Sequence, residues 1–254
     1  MHLLEASGLV KRFGGVAAVN NVTFSVPSGQ WLGIIGPNGA GKSTLFNLLG
    51  GQLHPTEGSI RFADADITKL TPHQRFHLGV GRSFQITSLF QGLSVVDHMA
   101  LALRRHGRRS IVRPSLGDRS LLAEVSDVLA AWDLAGVASG TLPDELSYGE
   151  QRRLELALAI ASEPKLLLLD EPNVGLTSSE CDELLTKVRK IAHDVTVVFV
   201  AHDMEMVLGW SHRVLVMHFG ELIADETPED LLHNEFVGEV YLGSKVENPD
   251  AGTD

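Results

Sequence analysis

One octapeptide in this chain determines its class of fold: Gly36-Pro37-Asn38-Gly39-Ala40-Gly41-Lys42-Ser43. It fits the pattern G-x-x-x-x-G-K-[ST], with a hydrophobic strand predicted before it and a helix predicted after it. Glycines let the backbone wrap closely around an anion, while inward N–H groups and a helix N-terminus supply positive potential. The flanking strand and helix disfavour the alternative of a glycine-rich turn with an exposed lysine. The pattern therefore predicts a site for the phosphates of a nucleotide.

Two side chains of this loop have specific predicted roles. Lys42 is expected to reach the β- and γ-phosphates, and the Ser43 hydroxyl to be a ligand of Mg²⁺, which prefers hard oxygen ligands. The complete set of predicted ligands in the loop is Gly36, Pro37, Asn38, Gly39, Ala40, Gly41, Lys42, Ser43 and Thr44.

A second motif, Leu166-Leu167-Leu168-Leu169-Asp170-Glu171, ends a predicted buried strand with two adjacent acids. Such a pair is expected where the carboxyl edge of a parallel sheet forms a crevice. We expect Asp170 to hold Mg²⁺, directly or through water, and Glu171 to polarise the water that attacks the γ-phosphate. An isolated pair of this kind is more often a helix cap beside a solvated acid. The phosphate loop in the same chain favours the functional interpretation.

Hydrophobic patterning places further elements around these motifs. Alternating residues predict strands early in the chain, and apolar residues at three- and four-residue spacing predict a mainly helical stretch from about residue 86. Strands alternate with helices in the last third, which implies a parallel sheet covered on both faces. The predicted strands are Leu3–Val10, Asn21–Val26, Trp31–Ile35, Gly58–Phe62, Val80–Phe84, Lys165–Leu169, Val195–Ala201 and Arg213–Met217. The predicted helices are Lys42–Gly50, Val95–Arg105, Ser120–Trp132, Tyr148–Ala161, Ser178–Ala192 and Asp203–Leu208.

Composition narrows the class of protein. With 21 Lys and Arg against 32 Asp and Glu, the net charge is −11, which argues against a protein built to grip nucleic-acid phosphates. Ten of the acids and one Lys lie in residues 221–254, so most of the acidity belongs to the C-terminal part. The single cysteine, Cys181, excludes an internal disulfide. No apolar run approaches the ~18 residues that span a bilayer, and no signal peptide is visible, so we expect a cytoplasmic location.

One basic stretch stands out against this acidic background. Residues 101–120 contain six Arg and one Asp, a net charge of +5. The stretch is either a solvated loop between helices or a docking surface for a partner, and the sequence alone leaves both interpretations open.

A third motif, Leu146-Ser147-Tyr148-Gly149-Glu150-Gln151, precedes a predicted helix. Ser147 is a candidate N-cap, and Gly149 lets a backbone approach closely, so this helix start is a second candidate anion site. One nucleotide can use both sites only if the second belongs to another copy of the chain. The sequence therefore predicts a head-to-tail dimer with two nucleotides at its twofold seam.

With this motif the chain resembles the ATP-binding cassette (ABC) ATPases, whose signature has the form L-S-G-G-Q and lies shortly before the acidic pair. Tyr148 departs from the glycine that is usual at the third position, a variation seen in importer subunits of the family. The resemblance covers about residues 3–243 and implies ATP and Mg²⁺ as cofactors. It also implies that the nucleotide of the partner copy is bound by Ser147, Tyr148, Gly149 and Glu150.

The resemblance assigns roles to three more residues. Phe13 matches the aromatic residue that stacks on adenine, although a buried residue at a strand end is an equal alternative. Gln85 matches the glutamine between the two lobes that touches Mg²⁺ and the attacking water. His202 matches the switch histidine, which contacts the γ-phosphate and orients Glu171.

Two further positions depart from the family pattern. Thr177 stands where Asp or Asn is usual, although its hydroxyl can still form a hydrogen bond across a dimer seam. Ala201 stands where many relatives have Glu.

The predicted fold class is α/β: a P-loop NTPase with a RecA-like mixed sheet, an antiparallel β subdomain and a helical lobe that carries the signature motif. We expect one ABC ATPase domain over residues 1–243. Residues 1–85 and 162–243 form its catalytic core with a C-terminal extension, and residues 86–161 form the helical lobe. We expect the polar, acidic residues 244–254 to be a disordered tail.

Several stretches resemble one branch of the family, the larger ATP-binding subunits of branched-chain amino acid importers. They include residues 13–19, 79–85, 151–155, 202–207 and 240–243. The resemblance implies a second ATPase subunit (an identical copy or a paralogue), separate transmembrane permease chains and an extracytoplasmic substrate-binding protein. It also implies a peripheral position on the inner face of the cell membrane.

Other functions remain open at this point. Importers of urea or short-chain amides and the ATPase of lipopolysaccharide export share many of the same stretches. A soluble cassette that acts on nucleic acid or the ribosome fits less well, because the chain lacks a second cassette, a coiled-coil insertion and a zinc motif. A small-molecule kinase would not need the signature motif or His202.

Overall fold

The computed structural model describes residues 2–83, 89–90, 92–104, 119–137 and 139–242. Three expectations concern residues outside these ranges: the role of Gln85, the nature of the basic stretch between residues 105 and 118, and the disorder of residues 244–254. The strands are β1 (His2–Phe13), β2 (Val16–Pro27), β3 (Trp31–Ile35), β4 (Glu57–Phe62), β5 (Ala65–Asp66), β6 (Val80–Arg82), β7 (Leu166–Asp170), β8 (Thr196–Val200), β9 (Arg213–His218) and β10 (Glu221–Glu226). The helices are α1 (Lys42–Gly50), α2 (Pro72–Leu78), α3 (Val95–Leu103), α4 (Arg119–Ala131), α5 (Tyr148–Ala161), α6 (Ser178–Ile191), α7 (Met204–Trp210), α8 (Pro228–Leu232) and α9 (Glu235–Leu242).

The larger sheet has the strand order β10-β9-β3-β8-β7-β6. The strands from β9 to β6 run parallel, and β10 pairs antiparallel with β9 at one edge. The sheet is therefore mixed, as predicted. Because parallel strands end at the same edge, the residues that follow β3, β7 and β8 lie along one side of the sheet.

Both faces of this sheet are buried, because successive residues of a strand point to opposite sides. In β3, Leu32 and Ile34 belong to one hydrophobic cluster, whereas Trp31 and Ile35 belong to the other. The first cluster includes α1 and the antiparallel strands, and the second includes residues of α3 to α7. This double burial explains why β7 and β8 are continuous apolar runs in the sequence.

The smaller sheet is antiparallel, with the order β2-β1-β4-β5. It confirms the predicted antiparallel β subdomain. Its first two strands are longer than predicted and meet at the turn Gly14-Gly15, so Phe13 is the last residue of β1.

The helical part packs as a layer in which α3 contacts both α4 and α5. The sequence pattern did not predict α2, α8, α9, β5 or β10. Among the described helices, none is both long and apolar enough to cross a membrane.

Candidate functional site

Two glycines of the loop after β3 are required by close packing. Gly36 has a φ of +153°, and a Cβ placed there would lie 2.2 Å from the carbonyl oxygen of Met217. Gly41 has a φ of +101°, and a Cβ there would lie 2.2 Å from the carbonyl oxygen of Ala18. Any side chain at either position would push the loop away from β9 or β2. In the same loop, Ala40 is buried and Pro37 and Thr44 are half-buried. Asn38, Gly39 and Ser43 are exposed.

The N-terminus of α1 differs from most helix starts in the described part of the chain. Its N-cap is Gly41, with no side-chain hydrogen bond and no acid in the first turn. A Ser, Thr or Asp side chain caps α2, α3, α5, α6, α7 and α8. A helix start without a capping side chain leaves its N–H donors and its positive end for an external anion.

The Lys42 side chain folds back over the loop. Its Nζ donates to the carbonyl oxygens of Gly36 at 2.7 Å and Pro37 at 3.0 Å. Burial lowers the pKa of Lys42, and the nearby Glu171 carboxylate partly opposes that shift. The ammonium group of the loop and the acid after β7 therefore lie in one electrostatic site.

Glu171 follows the last residue of β7 with an unusual backbone conformation. Its φ is +47°, a region that non-glycine residues seldom occupy and that often marks functional sites. Its N–H donates to the carbonyl oxygen of Val200 at 3.0 Å, which extends the pairing with β8. The Oε1 of Glu171 lies 2.7 Å from the Nε2 of His202, which follows β8. The structure thus brings Lys42, Asp170, Glu171 and His202 together at the carboxyl edge of the sheet.

Asp170 forms an ion pair that the sequence analysis missed. Its Oδ2 accepts a hydrogen bond from Arg82 at 3.1 Å, and both side chains are at least 87% buried. Burial raises the pKa of Asp170, Glu171 raises it further, and Arg82 opposes this rise. A lone Arg at the end of a strand carries no sequence signal, because its partner stands 88 residues away.

Arg82 is itself held from two further sides. Its Nη1 donates to the Oε1 of Gln52 at 2.7 Å, and its guanidinium lies 4.8 Å from the centre of the Phe46 ring. Gly50 leaves room for this arrangement, because a Cβ there would lie 2.8 Å from Arg82 Nη1. Arg82 therefore links the acid of β7 to the helix of the phosphate loop.

The signature motif begins α5 as the sequence predicted. Ser147 is the N-cap: its Oγ accepts from the Glu150 N–H at 3.4 Å and donates to the Glu150 carboxylate at 2.6 Å. This hydrogen bond lowers the pKa of Glu150. Tyr148 is exposed, and its hydroxyl donates to the carbonyl oxygen of Val174 at 2.9 Å. Among the described residues, no hydrogen bond or ion pair joins 147–150 to the loop 36–44.

Arg152, one turn further along α5, was also missed. It is 4% exposed, pairs with Glu155 at 2.9 Å and donates to the carbonyl oxygen of Glu171 at 3.4 Å. The signature helix therefore contacts the backbone of the acid after β7 within one chain.

The structure bears on the expectations for Phe13 and Thr177 in different ways. The interpretation of Phe13 as a core residue is wrong, since Phe13 is 51% exposed, with Lys11 Nζ 5.3 Å from the ring centre. Its stacking on adenine stays a prediction. Thr177 caps α6: its Oγ1 accepts from the Glu180 N–H at 3.3 Å and donates to the Glu180 carboxylate at 2.8 Å, so a hydrogen bond across a dimer seam would compete with this cap. Gln85 lies outside the described residues.

The donor chemistry at this edge fits Mg²⁺. The Asp170 carboxylate and the Ser43 hydroxyl are hard oxygen donors. Within the described ranges, no group of three His, Cys, Asp or Glu side chains could hold a metal ion by itself. Mg²⁺ commonly keeps several waters and binds through one or two protein oxygens plus substrate phosphates, which is the kind of site these residues can complete.

Sequence comparisons relate this chain to known proteins. A model of the family described as "ABC transporter" matches residues 19–174, more than half of the chain. The branched-chain amino acid transport ATP-binding protein BraF of Pseudomonas aeruginosa is 38% identical over 253 residues, covering 95% of this chain and 98% of BraF. LivG of Escherichia coli, described in the same words, is 36% identical over 250 residues, covering 95% and 98%.

The fold agrees as well. The solved structure of MJ1267, an ATP-binding cassette of an ABC transporter, superposes with a TM-score of 0.83 at 28% identity and covers 96% of this chain and all of that one. The ADP conformation of the same cassette gives a TM-score of 0.81 at 27% identity, covering 96% of this chain and 99% of the other.

Proposed function

The chain belongs to the ABC transporter family, and on that premise we propose that it binds and hydrolyses ATP to power a transporter whose channel is formed by other chains. One observation carries the proposal. The phosphate-loop lysine, the buried acid Asp170, the acid Glu171 and His202 converge at one edge of the sheet, with 2.7 Å between His202 Nε2 and Glu171 Oε1. This is the arrangement that phosphoryl transfer to water needs: cations for the phosphates and a positioned acceptor for the water proton.

Each side chain has a distinct proposed role. Lys42 leaves the carbonyl oxygens of Gly36 and Pro37 and donates to the β- and γ-phosphates of ATP. Glu171 accepts the proton of the attacking water, while His202 fixes the Glu171 carboxylate and donates to the γ-phosphate. Asp170 and Ser43 would hold Mg²⁺, whose charge neutralises the phosphates when it is bound. Phe13, exposed at the end of β1, is available to stack on the adenine ring.

We further propose that the working unit is a pair of cassettes. The start of α5 presents Ser147 and Gly149 to the γ-phosphate held by the other subunit, because among the described residues no hydrogen bond or ion pair joins this motif to the phosphate loop of its own chain. ATP binding favours the closed pair, and hydrolysis removes the γ-phosphate that joins the two subunits. The helical lobe, residues 86–161, passes this movement to the permease on the cytoplasmic face of the membrane.

For the cargo, we propose branched-chain amino acids. The support is that BraF and LivG, at 38% and 36% identity over nearly their whole length, are both described as high-affinity branched-chain amino acid transport ATP-binding proteins. A substrate-binding protein outside the membrane completes the proposed importer.

Deletion of the gene in its own organism tests the cargo. We expect uptake of radiolabelled leucine to fall and a plasmid copy of the wild-type gene to restore it, while the Glu171→Gln gene does not. Unchanged leucine uptake together with lost urea uptake would overturn the amino acid assignment in favour of the amide branch. Unchanged uptake of both together with defective outer-membrane lipopolysaccharide would favour the export ATPase.

A further inference from the structure

The aromatic ring of Tyr148 packs directly against the backbone of Gly175. A Cβ on Gly175 would lie 2.4 Å from Cε1 and 2.6 Å from Cζ of the Tyr148 ring, so the ring covers the Cα of residue 175. Gly175 also has a φ of +78°. The Tyr148 hydroxyl donates to the carbonyl oxygen of the preceding residue, Val174, at 2.9 Å. Tyr148 thus contacts two successive residues of the loop between β7 and α6.

This loop begins at the proposed general base. The Val174 N–H donates to the carbonyl oxygen of Glu171 at 3.1 Å, and the Leu176 N–H donates to that of Asn173 at 3.1 Å. The loop ends at Thr177, which caps α6. Val174 and Gly175, in the middle of the loop, are exposed. The Tyr148 ring and hydroxyl therefore contact backbone that solvent would otherwise surround.

A second contact from the same helix reaches the start of the loop. Arg152 stands four residues after Tyr148, on the same side of α5. Its guanidinium lies 5.9 Å from the centre of the Tyr148 ring, and its Nη2 donates to the carbonyl oxygen of Glu171. The first turns of α5 therefore hold the loop at Glu171 and at Val174.

We propose that Tyr148 is a positioning residue for ATP hydrolysis: by its hydroxyl and ring it locks the loop 173–176 to the start of α5, and so fixes the backbone that orients Glu171. The proposal rests on the proposed function for its effect on turnover. In a pair of cassettes, α5 faces the nucleotide of the partner and Glu171 faces its own nucleotide. This contact therefore joins the start of α5, which serves the nucleotide of the partner, and Glu171, which serves the subunit's own nucleotide, into one rigid unit.

Holding the loop 173–176 requires a tyrosine at position 148. The glycine usual at the third position of the signature has no ring to cover Gly175 and no hydroxyl to donate to Val174. The departure of this chain from that pattern is thus matched by a specific contact in its own loop.

Tyr148→Phe tests the proposal, because it removes one oxygen atom and keeps the ring. Without nucleotide, we expect amide hydrogen exchange in the peptide 172–178 to become faster, with little change in peptides of β3 or β9. With ATP, we expect kcat to fall about 5-fold, the effect of losing one hydrogen bond of ordinary net strength, and KM to stay within about 2-fold. The kcat is calculated per folded enzyme, because a smaller folded fraction would lower the apparent kcat without changing KM.

Thr227→Ala provides a matched control. It removes an exposed hydroxyl that caps α8 through Asp230, outside the loop and the helix that the proposal concerns, and should leave both kcat and exchange at 172–178 unchanged. Equal kcat in Tyr148→Phe and wild type, unchanged exchange in that peptide, or an equal loss of kcat in Thr227→Ala would overturn the proposal. If the wild-type protein does not hydrolyse ATP, the proposed function fails, whereas the exchange experiment still decides whether Tyr148 locks the loop.

Discussion

The Nε2 of His202 lies 2.7 Å from the Oε1 of Glu171, at the ends of the neighbouring strands β8 and β7. The Glu171 side chain is 14% exposed and that of His202 is 46% exposed, so the acid is largely buried while its histidine partner reaches the solvent. A carboxylate held in this way has its orientation set before any nucleotide arrives. Pre-orientation of this kind lowers the barrier without further reorganisation of the site.

We expect His202→Ala to reduce ATP hydrolysis by about 10- to 100-fold, because a proton acceptor without its orienting partner is misplaced for most of the time. The affinity for ATP should change much less. Steady-state turnover and a fluorescent-ATP titration check the two quantities separately. His193→Ala, which removes an exposed histidine before β8, serves as the control and should keep wild-type turnover. Normal turnover in His202→Ala would contradict the role given to this residue.

Lys42→Ala should weaken ATP binding by at least about 10-fold, because the variant loses a buried cation that faces the phosphates. The measurement is again a fluorescent-ATP titration. Lys165→Ala, which removes an exposed lysine at the other end of the sheet, should leave the affinity unchanged. Equal affinities of Lys42→Ala and wild type would exclude the loop 36–44 as the phosphate site.

Arg82→Leu should lower the free energy of unfolding by about 3 kcal/mol, because it leaves the Asp170 carboxylate buried without its countercharge. Urea unfolding without nucleotide or Mg²⁺ measures this loss. Adding Asp170→Asn to Arg82→Leu should recover part of the stability, since the partner charge is then also gone. If the two substitutions destabilise the chain additively, the ion pair has no coupling energy and this account of it is wrong.

The stability of the fold should depend on the protonation of His212. Its Nδ1 accepts a hydrogen bond from the Trp31 N–H at 2.9 Å, and burial together with the Arg189 charge lowers its pKa below the ordinary 6.5. As the pH falls through 6.5, the unfolded chain binds this proton before the native chain does, so the free energy of unfolding decreases. The contribution of neutral His212 to the free energy of unfolding is complete above pH 6.5 and is lost as the pH falls below it.

His212→Asn tests this dependence, since an amide oxygen can accept from Trp31 without titrating. Unfolding midpoints measured from pH 7.5 to 5 should fall more steeply for wild type than for the variant. Parallel pH profiles for the two proteins would contradict the assignment.

The parts of the fold with strong local patterns could be predicted from the sequence. The bounds of β3, α1 and α5 agree with the predicted Trp31–Ile35, Lys42–Gly50 and Tyr148–Ala161. These elements have continuous apolar runs, a glycine-rich entry or a capping serine, all of which act within a few residues.

Elements that depend on distant contacts could not be predicted in this way. Helix α2 buries only Arg75, whose Nη1 donates to the carbonyl oxygens of Leu48 and Leu49 at the end of α1. Burial lowers the pKa of Arg75 to about 10. A helix whose buried residue is a charged one has no apolar periodicity to detect.

The same limit on prediction from the sequence applies to the contacts of the candidate site. The positions of Lys42, Asp170 and Glu171 followed from motifs, whereas the contacts of Arg82 with Asp170 and of Tyr148 with Gly175 join residues far apart in the chain. A single sequence does not encode such pairs in any local pattern. The edge strand β10 was missed for a related reason, since its three apolar residues, 222–224, are consecutive and lie between the acids Glu221, Asp225 and Glu226, so the strand shows no alternation.

The most direct test of the central claim, that Glu171 accepts the proton of the attacking water, is the rate of ATP hydrolysis by Glu171→Gln. The amide keeps the size of the side chain and cannot take the proton. We expect turnover to fall at least about 100-fold while ATP affinity stays within about 2-fold of wild type. Turnover close to the wild-type rate in Glu171→Gln would contradict the account.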